Sequence, residues 1–180
     1  PPSLIKPKLI KRVMISKYKK PIIKIITVCR LSREKNIYEI IRAISKIKKE
    51  INFFIVGDGP EKKNLLRFIK SLNLEKKVKL IGFEKNPLKY LIKADLYINS
   101  SYFEGFPNSV VEAAYMGVPI ISSQSHGGIN EILCKGKYGT IYNGSYTDLA
   151  LKIKKFYKNP EIVFKKANLA KKNVIKFNIS

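Results

Sequence analysis

The sequence is poor in the residues that announce ready-made chemistry. It has one histidine (His126), two cysteines and no tryptophan in 180 residues. Cys29 and Cys134 are too few for a disulfide framework and have no metal-ligand spacing. Without an H-x-H pair or a Cys/His cluster, no catalytic metal is expected, and no resident cofactor is called for. No G-x-S-x-G elbow points to hydrolysis, and neither a P-loop nor G-x-G-x-x-G follows any strand-like run. No apolar run approaches the ~20 residues of a membrane span, and the basic N-terminus lacks a signal-peptide core. A reducing, cytoplasmic setting is the expectation.

Acidic residues are also scarce, with 13 Asp+Glu against 36 Lys+Arg and a net charge of +23. The excess collects at the ends. Residues 1–30 hold nine Lys/Arg and no acid, and residues 151–180 hold nine Lys and one acid. Such ends read as solvated faces or as surfaces that meet an anionic partner, with an anionic membrane surface the first candidate. No RNA- or DNA-binding motif accompanies the charge, so nucleic acid is not an expected partner.

What is present is a regular alternation. Residues 1–21, with early prolines and dense lysines, read as a linker or connecting arm, and 22–180 as one domain. "IIKIITVC", "NFFIVG", "VKLIG", "DLYIN", "GVPIIS" and "YGTIY" are short apolar runs rich in β-branched residues. Such runs suit strands buried on both faces. Between them lie stripes at helical spacing, such as Ile37, Ile40, Ile41, Ile44 and Ile47. Two lysine-rich helices close the chain, over Thr147–Tyr157 and Pro160–Asn173. Strand–helix alternation predicts a Rossmann-like, doubly wound α/β fold with a parallel sheet. In such sheets, ligands bind beyond the C-terminal strand ends.

Those ends are where the candidate residues fall. After the first strand come Arg30 and, before the next helix, Lys35, a spacing that suits a diphosphate or two ordinary surface cations. "GDGP" after the second strand reads as a structural turn. Gly82 and Phe83, after the third, offer backbone groups and a ring to a planar base. After the fourth, "EGFPNSVVE" places two carboxylates around a turn that opens a helix. Gly105 permits the turn, Pro107 stiffens it, and Asn108 is expected as N-cap, leaving the first amides open to an anion. Glu112, one turn in, can accept from a vicinal diol such as a ribose or simply balance the helix dipole. Glu104 lies on the other side of the same pocket. After the fifth strand, Gly127 and Gly128 again offer amides to an anion or sugar. His126 beside them reads as incidental.

Taken in order, "VCRLSREKN", "FFIVGDGPEKKNL", "KVKLIGF", "ADLYINSSYFEGFPNSVVEAAYMGVPIISS" and "GGINEIL" resemble the C-terminal, donor-binding domain of GT-B glycosyltransferases. The likeness is narrower still to the retaining E-x7-E type, the glycosyl transferases group 1. It spans residues 22–157. The resemblance implies a nucleotide-diphosphate-sugar donor and a glycan or lipid-linked acceptor. It also implies a partner N-terminal GT-B domain that this sequence does not contain, so that the isolated domain is expected to bind donor without transferring it. It assigns Glu112 to the ribose, Glu104 to the transferred sugar, and Arg30 and Lys35 to the donor diphosphate, assisted by the amides of Phe106 and Asn108. It implies metal-independent transfer of a hexosyl unit with retention, a donor phosphate oxygen taking the acceptor's proton. Where the family pattern has glycine before the arginine, this chain has Cys29. Two other readings fit the same residues less fully: a GT-B sugar-nucleotide epimerase, and a non-catalytic basic module that binds nucleotides or membranes.

Overall fold

The computed structural model describes residues 22–125 and 127–175. The segment read as a linker, 1–21, lies outside them. Six parallel strands form one sheet: β1 (Ile23–Val28), β2 (Ile51–Val56), β3 (Val78–Gly82), β4 (Leu96–Asn99), β5 (Ile120–Ser123) and β6 (Thr140–Tyr142). Helices alternate with them: α1 (Ile37–Ser45), α2 (Lys62–Ser71), α3 (Leu88–Leu91), α4 (Asn108–Tyr115), α5 (Ile129–Ile132), α6 (Tyr146–Lys158) and α7 (Pro160–Val174). The Rossmann-like expectation holds, and each predicted run matches an observed element to within a few residues at its ends.

Side chains alternate across the sheet, so each strand feeds two cores. On one face Ile25, Phe53 and Ile98 pack under Ile40, Ile44, Leu65 and Ile153 of α1, α2 and α6. On the other Ile26, Tyr97 and Ile120 pack under Val110, Ala114, Ile132 and Val174 of α4, α5 and α7. This two-sided burial explains why the strands read as unbroken apolar runs.

The strand order is β3-β2-β1-β4-β5-β6. The chain winds outward from β1 through β2 to β3, then returns to lay β4 against the other side of β1, pairing Ile25 with Leu96 and Ile26 with Tyr97. The order therefore reverses between β1 and β4. The two connections leaving these strands part to opposite faces there and open a crevice. Among the described residues no helix is long and apolar enough to cross a membrane.

Candidate functional site

The loop after β1 carries Arg30 into a short 3-10 turn, Arg33–Lys35, and Asn36 with φ 47° turns the chain into α1. Leu31 anchors this loop. It is buried, its amide donates to the Asp58 carbonyl at 2.9 Å, and its own carbonyl accepts from Glu61 at 2.9 Å. The partner backbone is the "GDGP" turn. Gly57 has φ +138°, and a Cβ there would stand 1.9 Å from the Cys29 carbonyl oxygen. That turn is structural: glycine lets it close on the loop that presents Arg30. Burial pushes the Cys29 thiol up to about 11, so it stays protonated at neutral pH.

The loop after β4 is tied to the same turn at three points. Ser100 Oγ donates to the Lys35 carbonyl at 2.7 Å, the Tyr102 amide donates to the Glu34 carbonyl at 2.9 Å, and Lys35 Nζ lies 2.8 Å from Glu104 Oε1. Both partners of this ion pair are largely shielded, with side chains 19% and 13% exposed. Ser101 Oγ donates to the same Glu104 oxygen at 2.6 Å. Glu104 therefore does more than line the far wall of a pocket: it holds the ammonium of Lys35 in place.

Gly127 and Gly128, expected to present amides to a ligand, brace this loop from below. Gly127 has φ +111°, and a Cβ on it would lie 1.7 Å from the Glu104 carbonyl oxygen. The Gly128 amide donates to the Gly105 carbonyl at 3.2 Å and is spent. His126 lies outside the described residues.

The helix opening also differs from expectation. Asn108 is the first helical residue, the cap position is Pro107, and no side chain caps it. Pro107, at φ −83° and ψ 77°, is the centre of an inverse γ-turn in which the Asn108 amide donates to the Phe106 carbonyl at 3.0 Å. The Pro107 carbonyl then accepts from both Val110 and Val111. The Asn108 amide is thus not open to an anion. The Phe106 ring stands 52% exposed at the rim.

Glu112, the fifth residue of α4, is half-buried. Burial alone raises its carboxyl above the usual carboxylate range, and among the described residues its side chain has no hydrogen-bond or ion-pair partner. A carboxylate partly withdrawn from water without compensation weakens the fold, which marks Glu112 as a group that hydroxyl donors would satisfy. Arg30 is exposed at the end of β1. Gly82 and Phe83 stand apart from this group, at the end of the edge strand β3 and two strands from β1. The Gly82 carbonyl accepts from Gly57 at 2.7 Å, and Phe83 is 74% exposed. The structure brings Lys35, Glu104, Gly105, Gly127 and Gly128 together, with Arg30 in the loop after β1 and Glu112 on α4.

Behind the site lies a polar layer that motif spacing did not single out. Asn99 Nδ2 donates to Ser122 Oγ at 3.1 Å, Ser101 Oγ reaches Asn99 Oδ1 at 3.0 Å, and Ser123 Oγ donates to the Ser101 carbonyl at 2.6 Å. Glu39 on α1 is buried beneath them. The signals were serine pairs at two strand ends and one acid among the isoleucines of α1.

Residues 11–177 match the family described as Glycosyl transferases group 1. The chain is 34% identical over 145 residues to the N-acetylgalactosamine-N,N'-diacetylbacillosaminyl-diphospho-undecaprenol 4-alpha-N-acetylgalactosaminyltransferase of Campylobacter jejuni, covering 75% of this chain and 40% of that protein. A point mutant of S. aureus TarM, solved with fondaparinux, alpha-GlcNAc-glycerol and UDP, superposes with TM-score 0.79 at 26% identity, over 88% of this chain and 32% of TarM. Anabaena HepE, solved with UDP, superposes with TM-score 0.80 at 24% identity, over 97% of this chain and 51% of HepE. The chain thus spans about half or less of the length of these proteins.

Proposed function

The chain belongs to the glycosyl transferases group 1 family, and from that premise we propose that it is the donor-binding half of a retaining, metal-independent glycosyltransferase that moves a hexosyl unit from a nucleotide-diphosphate sugar to a glycan or lipid-linked acceptor. The carrying observation is the placement of Glu112. A half-buried carboxylate with no partner among the described residues sits on the helix that opens beside the Lys35–Glu104 pair. A nucleoside diphosphate supplies both missing complements: ribose hydroxyls to donate to Glu112, and phosphate oxygens to accept from Lys35 and Arg30. UDP is the first candidate, because TarM, 26% identical over the matched region, was solved with it.

In this reading each residue acts on developing charge. As the bond between the anomeric carbon and the phosphate oxygen breaks, its electron pair leaves with the diphosphate. Lys35, held by Glu104, and the exposed Arg30 stabilise that charge. Glu104 keeps the Lys35 ammonium aimed, and its Oε2 remains to accept from a sugar hydroxyl. Retention follows if a donor phosphate oxygen removes the acceptor proton on the same face. The N-terminal domain of the GT-B pair would bring the acceptor. Loss of one such charged donor costs about 2.7–4 kcal/mol of barrier, by analogy with an oxyanion donor.

Isothermal titration of UDP, GDP and ADP against the chain tests this. One of them is expected to bind, and Glu112→Ala to weaken it at least tenfold. Equal affinity of the folded Glu112→Ala protein for that nucleotide would refute the reading.

A further inference from the structure

A cavity of about 100 Å³ lies between the loop after β4 and the ends of β5 and β6. Its lining includes the polar side chains of Glu39, Ser101, Tyr102, Gln124 and Asn143, and among the described lining residues Glu39 alone is charged. Glu39 is 8% exposed. It receives two hydrogen bonds on one oxygen, from the Tyr142 hydroxyl at 2.9 Å and from Asn36 Nδ2 at 2.7 Å, both on Oε2. Among the described residues Oε1 has no partner, and no cation lies within ion-pair distance of this carboxylate.

Burying a carboxylate without a cation is expensive, and the structure spends two donors to hold this one in a fixed orientation. The neighbouring serines do not compete for it. Ser100 Oγ is committed to the Lys35 carbonyl, Ser101 Oγ reaches Asn99 and Glu104, and Ser123 Oγ is committed to the Ser101 carbonyl. Asn143 Oδ1 accepts from the amide and hydroxyl of Ser145, leaving its NH₂ group to donate. The cavity therefore offers one fixed anionic acceptor and a few neutral amide groups. Its wall is the loop that carries Glu104, so a sugar joined to a diphosphate on Lys35 has this cavity within reach.

Resting on the donor-site reading above, we propose that this cavity receives the hydroxyl-bearing edge of the donor sugar, with Glu39 Oε1 accepting from a hydroxyl or amide N–H, and that it selects neutral or N-acylated sugars against uronic acids. A uronate would set a second carboxylate against Glu39 with no cation between them. The overall charge of +23 works the other way, since it attracts the additional negative charge of a uronate. Discrimination against the acid sugar is therefore a local signature.

The test is titration of the 180-residue chain with UDP, UDP-glucose and UDP-glucuronate, or with the guanosine series if GDP binds and UDP does not. The wild type is expected to hold the glucose donor at least fivefold tighter than the glucuronate donor. Glu39→Gln, which keeps an oxygen for Tyr142 and Asn36, is expected to bring the two within twofold while leaving affinity for the bare diphosphate unchanged. Gln124→Glu, on an exposed side chain at the rim, is expected to widen the gap. Equal or tighter binding of glucuronate by the wild type, or an unchanged ratio in folded Glu39→Gln, would overturn the proposal. If Glu39→Gln does not fold, an unchanged ratio in Gln124→Glu would overturn it instead. Failure of every nucleoside diphosphate to bind is a different result: it removes the donor-site reading, and this inference with it.

Discussion

Lys35 Nζ and Glu104 Oε1 lie 2.8 Å apart although 69 residues separate them in the chain. The pair links the loops after β1 and β4, and it divides two roles. Lys35 has further N–H donors free for phosphate oxygens, while Glu104 fixes where those donors point. Lys35→Ala is expected to weaken nucleoside diphosphate binding by about 1.5–3 kcal/mol, the range for a hydrogen bond to a charged group. Glu104→Gln keeps a hydrogen-bonding oxygen and is expected to cost less than Lys35→Ala. Titration calorimetry on both variants checks this ordering, and a Glu104→Gln loss equal to that of Lys35→Ala would contradict it.

Glu112 predicts a trade between binding and stability. Burial raises its carboxyl pKa in the folded protein, so the unfolded state favours the charged form more than the fold does. The corresponding stability is present below the unfolded pKa and is lost as pH rises through the folded one. Glu112→Gln should therefore melt above the wild type at neutral pH without ligand, and the difference should fade towards acid. The same substitution should lower nucleotide affinity. Melting curves across pH, run beside titrations, check both; a variant less stable than wild type at neutral pH would argue that Glu112 has a stabilising partner in the fold.

The fold was legible because its signals are local. Ile23–Val28 and Ile51–Val56 are buried on one face and largely covered on the other, and read as strands, and the isoleucine stripe of α1 gave its buried face. Arg30, Lys35, Glu104 and Glu112 could be placed at strand ends once strand–helix alternation fixed the sheet. Pairings across the fold were not legible. Nothing near Glu39 in sequence points to Tyr142, 103 residues away. Nor does spacing show which amides are already used, since that depends on backbone angles: the γ-turn at Pro107 takes the Asn108 amide, and the Gly105 carbonyl takes that of Gly128.

The buried polar layer under the site makes a prediction about stability alone. Asn99 is 5% exposed and links Ser122 to Ser101 through its two polar atoms. Asn99→Ala removes both links, while Ser101 Oγ keeps Glu104 Oε1 and Ser122 Oγ keeps the Ser123 carbonyl. That loss is expected to cost about 1–3 kcal/mol. Denaturant unfolding measures it, and a change below about 0.5 kcal/mol, the range of ordinary surface substitutions, would mean that water replaces the asparagine without penalty.

Two glycines of the site are chemically identical and should respond in opposite ways. A Cβ on Gly105 would meet nothing within 4 Å, whereas one on Gly127 would fall 1.7 Å from the Glu104 carbonyl oxygen, at a φ of +111° that side chains rarely adopt. Gly105→Ala is therefore expected to stay within about 0.5 kcal/mol of wild type. Gly127→Ala must push the Glu104 loop away or unfold it, at a cost of order 1–3 kcal/mol for the backbone conformation alone. Because Glu104 holds Lys35, the displacement should also reach the diphosphate, although alanine at 127 touches no ligand in the donor-site reading. A Gly127→Ala protein that melts and binds nucleotide like wild type would show that the loop after β5 does not set the position of Glu104.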